Sequence, residues 1–355
     1  MDRFIEKVKN PLVVVSTLKQ RDREAVVDFL RKINAPVYLE GVSGLREDSR
    51  LGHLRISYIH NLWENSKNAG YPIDGILRIG GVPTFRSWRD LESKKNQIEV
   101  CSVSHLPFSG LSWGPIIQAS LSEFLGMYNH QKRFETSNAL EWLEFDRACH
   151  RALCQLLHEE PLAEPSYFHS LSQQIPKNSM VYLGNSSPIR EWDLAAAYDD
   201  QQYTIFASRG LNGIDGQIST FLGLCQEDVE NWAILGDLTA LYDLAGPWIL
   251  KQLANIKVNI VVVNNGGGKI FSRMFPHEEF QNRHQLSFRP IADFWGLEYE
   301  LLDSIFRING VEGNRLIEIQ PDAAATERFW QKYSKLPEAL QYAGGKEKAL
   351  VVSKG

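Results

Sequence analysis

Two short stretches carry the residue types best suited to holding a hard cation. Gly236-Asp237-Leu238-Thr239 puts a carboxylate and a hydroxyl after one apolar run. Asn264-Asn265-Gly266-Gly267-Gly268 puts an amide side chain and three glycines after the next, with Asn265 twenty-eight positions beyond Asp237. If the two runs are neighbouring strands, Asp237 and Asn265 converge at one end of a sheet. A carboxylate oxygen, an amide oxygen and a backbone carbonyl turned by the glycines form an oxygen donor set that Mg2+ accepts, with ligand phosphates filling the remaining positions. The glycines let the backbone approach such a ligand closely. Asp and Asn are also ordinary turn formers at strand ends, and the pair alone leaves that reading open.

Three more segments combine glycines with hydroxyls or cations. Gly184-Asn185-Ser186-Ser187-Pro188-Ile189-Arg190 follows an apolar run, and so does Ser208-Arg209-Gly210-Leu211-Asn212-Gly213-Ile214-Asp215-Gly216. Glycines that open a helix suit an anionic group. Taken one by one, Ser186 is equally a helix cap, Arg209 a surface ion pair, and Ile214, Ile270 and Phe271 plain core. In the first half, Arg78-Ile79-Gly80-Gly81-Val82-Pro83-Thr84-Phe85-Arg86 is another glycine turn with a basic residue behind it.

These residues need a scaffold that delivers strand ends to one place, and the chain alternates strand with helix. Strands are expected at 12–15, 37–39, 75–79, 98–103, 181–183, 203–207, 232–235, 258–263 and 316–319, the last clear one. Helices are expected at 22–33, 84–92, 138–158 (capped by Ser137), 214–224 and 241–253. Such alternation implies parallel sheets covered on both faces, an α/β fold. The charged, proline-bearing stretch Glu159-Glu160-Pro161-Leu162-Ala163-Glu164-Pro165 divides the chain into 1–158 and 159–355. The tail from Gly344 is polar and is expected to be loose. Ligands of open parallel sheets bind beyond the C-terminal strand ends, where every segment above lies.

Bulk properties narrow the class. The 355 residues are 43% hydrophobic, enough for two domains with real cores. A net charge of −5 argues against a general nucleic-acid binder. Cys101, Cys149, Cys154 and Cys225 form no CxxC pair and no zinc spacing, which fits a reducing compartment. Met1-Asp2-Arg3-Phe4 begins no signal core, and no apolar run approaches the roughly 20 residues of a membrane span. A cytoplasmic location without membrane partners is expected.

The motifs together resemble the thiamine-diphosphate enzymes, and most closely the SEPHCHC synthase family of menaquinone biosynthesis. Gly-Asp followed by Asn-Asn at this distance is similar to that superfamily's signature, and Leu238-Thr239 in place of the usual glycine resembles the SEPHCHC synthase branch. The 209–216 stretch is similar to that family's Arg-Gly-x-x-Gly-Ile-Asp-Gly, and 184–190 to its Gly-Asn-Ser with a later arginine. The resemblance is dense from Val181 to Phe271 and thin over 44–73 and beyond Pro321. It implies a middle domain at 1–158 and a diphosphate-binding domain at 159–355, with thiamine diphosphate and Mg2+ (or Mn2+) as cofactors. It implies cofactor contacts at Ser186, Gly213, Ile214, Gly236, Asp237, Leu238, Thr239, Asn265, Gly267 and Ile270, with Ile214 wedging the bent cofactor. It assigns the metal to Asp237, Asn265 and the Gly267 carbonyl, and substrate contacts to Arg86, Arg190, Arg209, Ile270 and Phe271. The reaction implied is decarboxylative addition of 2-oxoglutarate to isochorismate by a transferase that works as a homodimer or tetramer.

In that family an activating glutamate belongs to a pyrimidine-binding domain ahead of the middle domain. Only about nine residues precede Asn10 here, so that domain is expected to come from a separate chain or to be missing, and no catalytic residue is nominated. An acetolactate-synthase or 2-oxo-acid decarboxylase type, or an inactive fragment, are the alternatives. The Gly213–Gly216 and Asp237–Thr239 motifs weigh against the first.

Overall fold

A computed structural model describes residues 1–95, 97–128, 133–134, 139–210, 212–253, 255–271, 277–302 and 313–352; for 271, 278, 339 and 341–352 the backbone alone is described. The chain forms two compact units, Met1–Glu160 with Glu327–Gly355, and Pro161–Thr326.

The first unit is built on β1 (Pro11–Val15), β2 (Val37–Leu39), β3 (Arg55–Ile56), β4 (Gly75–Ile79), β5 (Glu99–Ser104) and β6 (Ile116–Gln118), all parallel, in the order β3-β2-β1-β4-β5-β6. Its helices are α1 (Asp2–Lys7), α2 (Arg23–Ile33), α3 (Leu62–Asn68), α4 (Arg86–Asp90), α5 (Leu121–Met127) and α6 (Leu140–Glu159). Strand alternation sends Leu12, Val14 and Ile76 into one core, with Trp88 and Trp142, and Val13, Val15 and Leu77 into another, with Val27 and Leu30. Both faces are buried, which is why these strands read as largely apolar runs. The spacing of Val26, Val27, Leu30 and Ile33 gives α2 its buried face, and Asn34 ends it in the left-handed region at φ 58°.

Asp146 on α6 fastens that helix to the end of β3. Its carboxylate accepts the Ser57 N–H at 2.9 Å and the Tyr58 N–H at 2.8 Å. Complete burial nevertheless dominates and pushes its pKa from 3.8 up to about 6. A carboxyl raised in this way stabilises the fold fully below its unfolded pKa, and that stabilisation is lost as pH rises through about 6. The shift corresponds to about 3 kcal/mol. Thermal midpoints recorded from about pH 4 to about pH 7 should therefore show the wild type losing ground to Asp146→Asn. A gap that does not change with pH would refute this.

The second unit carries β7 (Met180–Leu183), β8 (Thr204–Phe206), β9 (Glu230–Gly236), β10 (Lys257–Val263), β11 (Glu298–Leu302) and β12 (Arg315–Ile319), again all parallel, ordered β11-β12-β10-β9-β7-β8. Around the sheet lie α7 (Glu164–Gln174), α8 (Ser187–Ala195), α9 (Gln217–Leu224), α10 (Asp237–Leu241) and α11 (Arg289–Trp295), and α12 (Ala323–Val352) begins here. Tyr182, Ala233, Leu235, Ile260 and Val262 face one core with Phe221 and Phe288. Val181, Leu183, Trp232, Ile234, Val261 and Val263 are buried on the other face. The chain runs from β7 outward to β8, then crosses back over β7 to β9. That reversal opens a crevice at the C-terminal ends of β7 and β9, the usual ligand position in such sheets.

Several elements differ from expectation. The helix expected at 241–253 begins at Asp237 and ends at Leu241, and a 3-10 stretch follows from Gly246 to Gln252. Pro247 lacks an N–H and disfavours a helical residue before it, so one continuous helix cannot form. The helix expected from 214 starts at Gln217, because Gly216 caps it in the left-handed region at φ 63°. The tail from Gly344, expected to be loose, continues α12 as far as Val352; Lys, Glu, Ala and Leu there are good helix formers. Ser137 and Asn138 lie outside the described residues. No helix among the described residues is long and apolar enough to cross a membrane.

Candidate functional site

β9 and β10 pair with Val263 opposite Gly236, so the chain leaves both strands at one level of the sheet. Asp237 follows β9 immediately and is only 3% exposed. Its Oδ1 accepts the Leu238 N–H at 2.6 Å and its Oδ2 accepts the Gly267 N–H at 2.8 Å, which ties the two turns together. Burial pushes the Asp237 carboxyl above its ordinary range; the Leu238 and Gly267 N–H bonds and nearby His284 act against that rise. His284 Nε2 stands 3.2 Å from Asp237 Oδ2. The Leu286 N–H donates to His284 Nδ1 at 3.2 Å.

Asn265 is held from the opposite side. Its Nδ2 donates to Glu164 Oε2 at 2.9 Å. Its Oδ1 is buried and has no hydrogen-bond partner among the described residues. An acceptor left this way costs about 1–3 kcal/mol, which a cation would offset. Gly267 is buried at φ +134°, and a Cβ there would lie 2.5 Å from the Gln281 carbonyl oxygen. Its own carbonyl accepts the Lys269 N–H at 2.9 Å, and a second lone pair remains for another partner. Among the described residues no group of three or more His, Cys, Asp or Glu could hold a metal. The donors on offer are one carboxylate, one orphaned amide oxygen and a glycine carbonyl. That set fits Mg2+ bound together with phosphate oxygens and water.

The first asparagine of the pair has a different task. Asn264 Nδ2 donates to Glu318 Oε1 at 2.7 Å and to the Leu286 carbonyl at 2.8 Å. Glu318 is buried on β12 and also accepts the Phe288 N–H at 2.9 Å and the Tyr299 hydroxyl at 2.7 Å. Burial works to raise the Glu318 carboxyl, but bonds from Asn264, Gln320, Phe288 and Tyr299 outweigh it and hold it below the usual range. This network anchors the turn from which Asn265 reaches out.

Across the crevice, Gly184 brings its turn directly against β9, where a Cβ would meet the Leu235 side chain at 3.0 Å and the Ile234 carbonyl at 3.1 Å. Asn185, fully buried, joins three segments. Its N–H donates to Gln217 Oε1 at 3.0 Å, its Nδ2 donates to the Gly213 carbonyl at 2.7 Å, and its Oδ1 accepts from Arg209 Nη1 at 2.9 Å. Ser186 is a non-glycine residue at φ +73°. Conformations of that kind cost on the order of 1–3 kcal/mol and concentrate at ligand sites.

No family model matches this chain. A curated 2-succinyl-5-enolpyruvyl-6-hydroxy-3-cyclohexene-1-carboxylate (SEPHCHC) synthase from Bdellovibrio bacteriovorus is 40% identical over 95% of this chain and 63% of its own length. The chain resembles SEPHCHC synthases over nearly its whole length. A synthase of the same name from Akkermansia muciniphila is 33% identical over 90% of this chain and 60% of its own length, and one from Trichodesmium erythraeum is 26% identical over 92% and 61%. The chain thus spans about three fifths of the length of the curated relatives it matches. These relatives do not favour the acetolactate-synthase or decarboxylase alternative.

The residues expected from the SEPHCHC synthase resemblance fall into three groups. Gly236, Asp237, Asn265 and Gly267 share the β9–β10 end, with Thr239 buried and Leu238 and Ile270 half-buried nearby in sequence. Ser186, Arg209 and Gly213 share the β7 end through Asn185, and Ile214 is half-buried beside them. Arg190 is exposed, and its Nη1 donates to the Ser186 carbonyl. Arg86 belongs to the first unit, is 75% exposed and lies 3.7 Å from Asp90. The Phe271 side chain lies outside the described residues. Glu164, Asn185, Asn264, Gln217 and His284 received no role from sequence. Asn185 sits inside a quoted motif, whereas Glu164 is 101 positions from Asn265 and looked like linker.

Proposed function

We propose that this chain is the middle and diphosphate-binding portion of a SEPHCHC synthase, with 1–158 as middle domain and 159–355 as thiamine-diphosphate-binding domain. It works in the cytoplasm, within a homo-oligomer. The substrates are 2-oxoglutarate and isochorismate, and the product is SEPHCHC. The observation that carries this reading is the orphaned, buried Asn265 Oδ1 beside the Asp237–Gly267 tie.

Thiamine diphosphate, when bound, supplies the chemistry by which a 2-oxo acid loses CO2 and its remaining carbon skeleton becomes a nucleophile. This chain's residues hold and orient. Asp237, Asn265 and the Gly267 carbonyl take the Mg2+ or Mn2+ and so neutralise the diphosphate. Gly213, Ser186, Gly236, Leu238, Thr239, Ile214 and Ile270 shape the cofactor's surroundings. Arg209, steadied by Asn185, and Arg190 bind substrate carboxylates, a task for which the planar guanidinium is suited. Arg86 and Phe271 complete the substrate contacts.

The test is reconstitution. This chain, the part of the Bdellovibrio bacteriovorus relative that it does not match (as a separate polypeptide), thiamine diphosphate and Mg2+ are mixed with both substrates, and products are followed by mass spectrometry. SEPHCHC should form in the mixture, with neither polypeptide active alone and pyruvate failing to replace 2-oxoglutarate. Cofactor binding with no product in any mixture would overturn the enzymatic reading.

A further inference from the structure

We propose that Glu164 is a positioning residue that fixes which atom of the Asn265 amide faces the cation. The inference rests on the reading of Asp237 and Asn265 as cation ligands and deepens it. An amide has a donor end and an acceptor end, and only the oxygen can bind a metal. Rotation by half a turn would present an NH2 group, which repels it. Something must therefore bias the amide before the cation arrives.

Glu164 is placed to do so. It is buried at 5% exposure in the first turn of α7, and its Oε2 lies 2.9 Å from Asn265 Nδ2. A carboxylate only accepts hydrogen bonds, so it selects the NH2 end and leaves Oδ1 pointing away. That Oδ1 is the atom found buried without a partner among the described residues. Glu164 is itself anchored. Its N–H donates to Thr326 Oγ1 at 3.0 Å, and the Thr326 hydroxyl donates to the Asp322 carbonyl at 2.8 Å. The carboxylate thus lies on the start of a helix outside the cation's own turn, fixed before any ligand arrives. Outer partners that orient a metal ligand typically change affinity about 10–100-fold when replaced.

The measurement is Mn2+ affinity in the presence of thiamine diphosphate, by electron paramagnetic resonance titration of the full chain. Glu164→Gln keeps the volume but offers a donor as well as an acceptor, so the amide is free to turn; affinity should fall about 10-fold or more. Asn265→Asp should also weaken binding, because it sets a second carboxylate against Glu164. The double variant Glu164→Gln with Asn265→Asp should bind more tightly than either single variant, since the new amide can donate to one oxygen of the new carboxylate and leave the other for Mn2+. A merely structural Glu164 predicts that the two losses add. Additive losses, or wild-type affinity in Glu164→Gln, would overturn the proposal. Asn265→Ala separates the two levels. If it leaves Mn2+ affinity unchanged, or if the wild type binds no Mn2+ at millimolar cofactor, the ligand reading itself fails and the positioning role with it.

Discussion

Asp237→Ala should abolish Mg2+-dependent binding of thiamine diphosphate while leaving the fold in place. The side chain is the only carboxylate in the proposed donor set, and it also holds the Gly267 N–H at 2.8 Å. Its removal takes away the one carboxylate of that donor set and unties the β9 turn from the β10 turn. Isothermal titration should show at least about a 100-fold loss, equivalent to about 2.7 kcal/mol at 25 °C. The raised pKa of this buried carboxyl means that ionising it in place is unfavourable, so the substitution need not lower the thermal midpoint. Undiminished Mg2+-dependent binding in the variant would place the cofactor elsewhere.

The second large effect is expected at Gly267. A methyl group there would lie 2.5 Å from the Gln281 carbonyl and 2.9 Å from that of Asn282, on a backbone at φ +134°. Neither obstacle is a flexible side-chain tip. Backbone strain of about 1–3 kcal/mol adds to an overpacking cost of about 1–3 kcal/mol, so Gly267→Ala should lose about 3 kcal/mol in urea unfolding. Gly210→Ala is the control in an equally unusual conformation, φ +113°, with no neighbour within 4 Å of the added carbon. Equal losses at the two positions would mean that the Gln281–Asn282 contact contributes nothing.

Much of this architecture was legible in the sequence because the strands are buried on both faces. β1 is a continuous apolar run, and β4 and β10 are apolar apart from Arg78 in the first and Lys257 and Asn259 in the second, a pattern few other environments permit. β3 and β6 escaped notice because two or three residues carry no period. β11 escaped because Glu298 and Glu300 interrupt its pattern. α7 looked like a linker, although Pro165 in a first turn is compatible with helix. The site followed the same division. Asp237, Asn265 and Gly267 announce themselves because strand-end chemistry is local in sequence. Glu164 and His284 do not, since what they act on is reached only through the fold. Asn264, adjacent to Asn265 and identical in type, shows the limit of residue identity: one amide is spent on the Glu318 network, and the other has an oxygen to spare.

The brevity of the outer strands has a consequence for how the molecule behaves in a crowd. Among the described residues each sheet has two margins, where backbone N–H and C=O groups lack a neighbouring strand. Those margins are β3, β6 and β8, of two or three residues each, and β11, which carries Glu298 and Glu300. Long, flat, apolar margins recruit strands from other copies and seed aggregation. Margins this short, or carrying like charges that would meet across a two-fold pairing, give a stray strand little to template on. The long apolar runs that build both cores are kept in the interior of each sheet, where no passing chain can add to them.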